Sequence, residues 1–255
     1  MTFDLDPLLQ LWTFGAVLVF ARIGAALMLL PGFGDFRIPG RLRLLFAMAL
    51  TILVLPAVSS SLPAPTVGLG TLLTYLLHEL AIGLFIGATT AVLMSILHMA
   101  GAIIAGQIGL SNALSGELFS IEQGAAVGAV LSAAGLLVIF LTGLDHLMLT
   151  GLVQSYERFP VAAEPQFQDM ADTMAQALSA SFGAAMRLAA PFLILGFVFN
   201  IGLALANRMM QQLPVFFVGL PVSLAGGFLI LSLALPALLL GFAEVFEHLL
   251  ATLVF

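Results

Sequence analysis

The chain has 255 residues, of which 62% are hydrophobic and only 8% are charged, and its formal net charge is −6. A soluble domain carries about 25% charged residues, so this composition excludes an ordinary soluble protein and indicates an integral membrane protein. The charge is spread thinly, without the footprint of a nucleic-acid-binding surface, and the absence of cysteine excludes disulfides and thiolate metal sites.

Six apolar segments follow one another along the chain, and each is predicted to form a helix. They are Leu8–Leu30, Leu44–Val58, Leu72–Leu97, Ala125–Val153, Met174–Leu205 and Val215–Leu240. Glycine and proline inside several of them favour bent or broken helices. Tyr156 to Asp172 is the most polar segment and predicts a solvent loop, and Gly241–Phe255 predicts a short amphipathic tail. The predicted fold is an all-α polytopic membrane protein with about six hydrophobic helices in a single domain over residues 1–255.

The turn-rich segment Pro31–Arg43 is the densest basic loop, since it holds Arg37, Arg41 and Arg43. Cytoplasmic loops of membrane proteins are enriched in Lys and Arg, so this loop is predicted to lie in the cytoplasm and the N-terminus outside. Such clusters usually lie among lipid headgroups. The alternative is contact with an acidic face of a partner subunit.

The stretch His98–Gly124 separates two apolar segments and contains five glycines together with neutral polar residues such as Gln107 and Asn112. Irregular backbone at membrane depth is tolerated only where it is buried in protein or lines a water-filled cavity. The stretch therefore predicts either a loop facing a passage or an ordinary connection that leaves the membrane.

Three ionisable residues, Arg22, Glu79 and Arg187, lie inside apolar segments. A charge at membrane depth is expensive and needs a partner, so each is a candidate functional residue. We expect a structural ion pair that fixes the register of the helices, with Arg22 and Glu79 as the pair to test. A proton relay is the alternative.

Catalytic and metal-binding motifs are not evident in the sequence. Asp145 and His146 are adjacent but lack companions at ligand spacing, whereas a metal site needs at least three placed ligands. The chain has no Walker, GxSxG or HExxH motif. The sequence therefore predicts no catalytic residue, no metal, no cofactor and no enzymatic activity.

Several ordered blocks resemble the FliR family of the flagellar type III export apparatus and its injectisome counterparts. The blocks are Arg22-Ile-Gly with Pro31-Gly-Phe-Gly and Arg41-Leu-Arg43, Gly106-Gln-Ile-Gly109, Gly143-Leu-Asp-His146 with Ser155-Tyr156, and Arg208 with Gln212-Leu-Pro-Val-Phe216 and Gly219-Leu-Pro221. Each block is weak by itself, but together they span nearly the whole chain in the family's order.

The resemblance implies a subunit of an export gate in the bacterial inner membrane, within the flagellar basal body. It implies FliP and FliQ as partners in the gate, FlhB and FlhA as further neighbours, and unfolded export substrates and membrane lipid as contacts. It also implies that some helices pack above the bilayer plane. Residues expected at partner interfaces are Arg41, Arg43, Arg208, Pro214, Phe216, Gly219 and Pro221.

The resemblance further assigns the segment from Gly106 to about Gln123 as a loop that plugs the pore. The residues expected to form this gate loop are Gly106, Gln107, Ile108, Gly109, Leu110, Ser111, Asn112, Leu114 and Gly116. Glycine gives the backbone freedom for two arrangements. Ile108, Leu110 and Leu114 are expected either to make a hydrophobic constriction that gates by dewetting or to pack on a neighbouring subunit.

Two other functions remain as alternatives to the gate. A small-solute secondary transporter or channel would need a defined pocket with paired intramembrane charges and would transport its solute without other subunits. A passive scaffold would tolerate substitutions throughout residues 106–123 without loss of export.

Overall fold

The computed structural model describes residues 7–35, 38–59, 62–63, 68–109, 123–161, 164–209 and 215–253. Within these residues the chain forms seven α-helices and no β-strand, as the all-α prediction requires. In chain order the helices are α1 (Pro7–Leu29), α2 (Gly40–Val58), α3 (Leu69–Gln107), α4 (Gln123–Thr142), α5 (Leu144–Arg158), α6 (Phe167–Met209) and α7 (Val215–Leu253).

Five of these helices are long and apolar enough to cross a membrane, namely α1, α2, α3, α6 and α7. Helices α4 and α5 pass the same test only as a pair and would add a sixth crossing as one broken span. The prediction of about six hydrophobic helices with bent or broken segments is therefore confirmed.

Helix α3 is longer than the sequence predicted, because it continues from Leu97 through His98 to Gln107. One of the glycines that weaken the apolar pattern here, Gly101, serves close packing. A Cβ on Gly101 would lie 2.6 Å from the backbone nitrogen of Gly128 in α4, so the two helices approach to backbone contact. Tertiary packing at Gly101 stabilises helix where intrinsic propensity disfavours it.

The predicted fourth helix is divided in two at Gly143. This glycine has a φ of 76° and separates α4 from α5. The left-handed conformation is accessible to glycine without a steric penalty, so the sequence Gly143-Leu-Asp ends one helix and begins the next.

The two last helices are also longer than predicted. Helix α6 begins at Phe167 and helix α5 ends at Arg158, so the predicted solvent loop Tyr156–Asp172 is reduced to the connection between them. Helix α7 continues without a break from Val215 to Leu253, and the separate amphipathic tail predicted at Gly241–Phe255 was wrong.

The chain divides into two compact units. Unit 1 comprises Met1–Val92, Gly143–Ala177 and Leu249–Phe255, and unit 2 comprises Leu93–Thr142 and Leu178–His248. In unit 1, Gly83 and Gly87 of α3 face α1, since a Cβ on Gly87 would lie 2.7 Å from the carbonyl oxygen of Ala26. This close approach brings polar side chains of α1 and α3 within reach of each other.

Candidate functional site

A buried ion pair joins α1 to α3 in unit 1. Arg22 and Glu79 are 0% and 1% exposed. The Nε of Arg22 lies 2.6 Å from Oε2 of Glu79, and Nη2 of Arg22 donates to Oε1 at 3.0 Å. The two parallel hydrogen bonds form the bidentate arrangement that gives arginine–carboxylate pairs their strength and orientation. The structure thus brings together the two residues that the sequence analysis paired.

The C-terminal end of α5 completes the surroundings of Arg22. Its Nη1 donates to Oγ of Ser155 at 3.3 Å, and its Nη2 also donates to the carbonyl oxygen of Phe159 at 2.8 Å. The guanidinium carbon lies 4.0 Å from the ring centroid of Tyr156, which is a cation–π distance. One arginine therefore links α1 to α3 and to the C-terminal end of α5 in a fixed register.

The sequence analysis did not assign Ser155, Tyr156 and Phe159 to this ion pair. A signal was present, since Ser155-Tyr156 belongs to one of the blocks that resemble the FliR family. The spacing of 133 residues between Arg22 and Ser155 gives no local pattern that could have linked them. Only the fold places them in contact.

The beginning of the predicted gate loop is held in unit 2. Helix α3 includes Gly106 and Gln107, so the loop starts at Ile108 rather than at Gly106, and Gln123 belongs to α4. The side chain of Ile108 is 2% exposed. A Cβ on Gly227 of α7 would overlap the β-branched side chain of Ile108, which fills the space that this glycine leaves.

A hydrogen bond and a close helix approach fix the same point. The Oγ of Ser223 in α7 donates to the carbonyl oxygen of Ile108 at 3.0 Å. Gln107 lies over Gly196 of α6, where a Cβ would be 3.1 Å from the Cβ of Gln107. We call the surface formed by Gly196, Ser223 and Gly227 the loop seat.

The backbone turns immediately after Ile108, because Gly109 has a φ of 79°. A cavity of about 170 Å³ lies beside Gln107 and Ile108, with Phe199 and Ile230 among its lining residues. The anchored start of the loop thus borders this cavity. Of the predicted gate residues, Leu110, Ser111, Asn112, Leu114 and Gly116 lie outside the described residues.

The residues predicted at partner interfaces are dispersed. Arg41 and Arg208 are exposed at the ends of α2 and α6, and Pro221 is exposed on α7. Arg43 is half-buried, and its Nη2 donates to the carbonyl oxygen of Asp35 at 2.8 Å. Gly219 is buried, with a Cβ position that Leu203 of α6 fills. Pro214, the side chain of Phe216 and Arg37 lie outside the described residues.

Asp145 and His146 lie in the first turn of α5, where Nδ1 of His146 is 3.1 Å from Oδ1 of Asp145. Among the described residues, no group of three or more His, Cys, Asp or Glu side chains could hold a metal ion. The carboxylate of Asp145 lies near the N-terminus of α5, where the helix dipole stabilises a negative charge. This position fits a structural role for Asp145.

Residues 13–249 match the model of a protein family described as bacterial export proteins, family 1. The flagellar biosynthetic protein FliR of Caulobacter vibrioides is 36% identical over 236 residues, which cover 92% of this chain and 94% of that protein. FliR of Aquifex aeolicus is 29% identical over 231 residues, covering 91% and 89%. The Yop proteins translocation protein T of Yersinia pestis is 30% identical over 213 residues, covering 82% and 80%.

Proposed function

The chain belongs to the FliR family of bacterial export proteins, and on this premise we propose that it is a subunit of the gate through which a flagellar type III apparatus exports unfolded proteins. The observation that carries the proposal is the extent of the family match, which runs from residue 13 to residue 249 and includes both ends of the gate loop. The flagellar names of the relatives in Caulobacter vibrioides and Aquifex aeolicus favour a flagellum over an injectisome as the parent system.

The subunit's role is to complete and close the passage. It supplies neither energy nor catalysis. The loop seat supports this role, because it anchors one end of the gate loop by the Ser223 hydrogen bond and by the buried side chain of Ile108. A loop anchored at its base and rich in glycine beyond it can change its arrangement while its origin stays fixed.

The gate lies in the bacterial inner membrane as part of the flagellar basal body, assembled with FliP and FliQ and next to FlhB and FlhA. The exposed apolar surface of the chain supports this proposed assembly. Ile52, Leu53 and Leu141 are 71%, 74% and 84% exposed, and many other large apolar side chains are exposed with them. Apolar surface of this extent needs lipid or protein against it.

The solute-transporter alternative receives no support from the buried charges. Such a transporter would present intramembrane charges to a pocket, whereas Arg22 and Glu79 are satisfied by each other and by Ser155 and Phe159. These contacts support our inference that the ion pair is a structural element of unit 1.

The proposed function is tested by deleting the chain's gene in a flagellated bacterium that carries it. We expect secretion of flagellar substrates into the medium to stop and to return with a plasmid copy of the chain. FliP and FliQ should co-purify with an epitope-tagged version. The control is the same strain with an empty plasmid. Undiminished secretion in the deletion strain would refute the proposal, and so would saturable solute uptake by the purified chain in vesicles.

A further inference from the structure

Two adjacent glycines of α7, Gly226 and Gly227, leave two notches where the end of α3 packs against this helix. A Cβ on Gly227 would overlap the side chain of Ile108, whereas a Cβ on Gly226 would meet no atom within 4 Å. We call the space at Gly227 the first notch and the space at Gly226 the second notch. Neighbouring residues of an α-helix are rotated by about 100° around its axis, so the notches lie side by side. Ile108 therefore fills one of two adjacent notches.

The second notch opens into the cavity of about 170 Å³, which has Gly226 and Ile108 in its lining beside apolar residues of α6 and α7, namely Leu195, Phe199 and Ile230. Protein interiors contain few voids larger than a water molecule, so a cavity of this size is uncommon. An apolar cavity of about 150 Å³ holds a benzene ring, and the side chain of isoleucine has fewer carbon atoms than benzene. The second notch therefore has room for the side chain of Ile108.

The hydrogen bonds of Ile108 hold its backbone and not its side chain. Its carbonyl oxygen accepts from Oγ of Ser223 at 3.0 Å, and its N–H donates to the carbonyl oxygen of Ile104 at 3.0 Å. Ser223 precedes the two glycines by three and four residues, so it lies one turn before both notches. Gly109 follows directly, and glycine populates positive and negative φ about equally, so the chain beyond it can take a second direction.

We propose that the second notch is the position that Ile108 takes when the gate loop opens. The inference rests on the proposed function, because it assigns a position of Ile108 to each state of the gate. In the closed state the side chain fills the first notch. In the open state a change of χ1 rotamer and a small shift of the main chain place it in the second notch, with the Ser223 hydrogen bond as the pivot. Because the apolar side chain stays buried in both positions, the two states remain close in free energy, as a switch requires.

The inference is tested by filling the second notch with Gly226→Leu in the whole apparatus in living cells. The leucine side chain occupies the cavity, so Ile108 remains in the first notch and cannot leave it. We expect export of flagellar substrates to fall by about 5-fold or more, the effect of overpacking the open state, while membrane conductance stays at the wild-type level. Gly226→Ala adds a single methyl group and should reduce export less.

Two further variants separate the cavity from a general defect. Gly202→Leu makes the same change at an exposed glycine of α6, where a Cβ would meet no atom within 4 Å and which does not line the cavity, so it should export normally. Phe199→Ala in the Gly226→Leu background returns space to the cavity and should restore export. Abundance and co-isolation with the apparatus are measured in every strain. Where Gly226→Leu does not accumulate, the same comparison is made with Gly226→Val.

Wild-type export by an assembled Gly226→Leu variant would overturn the inference. So would an equal loss of export in Gly202→Leu, or a failure of Phe199→Ala to restore export. A rise in conductance in Gly226→Leu would also contradict it, since Ile108 would then have left the first notch. These outcomes concern the variants, whereas the proposed function fails if the strain without the chain still exports.

Discussion

Replacing Glu79 with alanine is expected to destabilise the protein by about 3–5 kcal/mol, because it leaves the buried guanidinium of Arg22 without its counter-charge. Arg22 is 0% exposed and would keep only its hydrogen bonds to Ser155 and Phe159 and its contact with Tyr156. Typical proteins are stable by only about 5–15 kcal/mol. We therefore expect a large loss of steady-state abundance and a lower Tm for the detergent-solubilised Glu79→Ala variant.

The double variant Arg22→Met with Glu79→Leu is the matched control, since it removes both charges and refills the space. Replacement of a buried ion pair by apolar residues of similar volume is often neutral or stabilising. We expect this variant to be far more stable than Glu79→Ala and to retain export, which identifies the pair as structural. A folded, assembled double variant without export would instead indicate the proton relay.

Replacing Gly227 with valine is expected to displace Ile108 from the loop seat and to open the gate. The valine side chain would overlap the Cβ of Ile108 and approach its backbone. A change in the Ile108 rotamer alone therefore cannot relieve the overlap. Overpacking of this kind costs about 1–3 kcal/mol, which corresponds to a shift of about 5- to 150-fold in a two-state equilibrium. We expect ion leak across the membrane to increase in proportion to the population of the open state.

Gly226→Val provides the matched control for this variant. Gly226 is the adjacent residue on α7, and a Cβ there would meet no atom within 4 Å, so the same change of residue type leaves Ile108 in place. Leak is measured as membrane conductance or as growth sensitivity to small toxic solutes. Equal leak in the Gly226→Val and Gly227→Val strains would show that the loop seat does not hold the gate closed.

The sequence predicted the class of the protein better than the limits of its elements. Composition and apolar segments were sufficient for an all-α membrane protein, because the requirement for about 20 apolar residues per span is strong. The error at α3 arose because Gly101 weakens the local pattern while its packing on Gly128 is non-local. The break at Gly143 was missed because a glycine inside an apolar run does not itself reveal a positive φ.

The two candidate sites were likewise predictable only in part from the sequence. The position of charges in apolar runs marked Arg22, Glu79 and Arg187, because an unpaired charge at membrane depth is unfavourable. The structure buries Arg22 and Glu79 together, whereas Arg187 is exposed. The contributions of Ser155 and Phe159 depend on how α5 ends against α1, which follows from the fold alone. The loop seat was equally inaccessible, since Ser223 and Gly227 are more than 100 residues from Ile108 along the chain.

We propose that the segment after Ile108 seals a passage. It is tested most directly by deleting Ser111–Gly116 and measuring membrane conductance together with assembly and export in the same cells. We predict that conductance rises while the subunit still co-purifies with FliP and FliQ. If conductance, assembly and export all remain at wild-type levels, the segment is only a connector and the gate assignment is wrong.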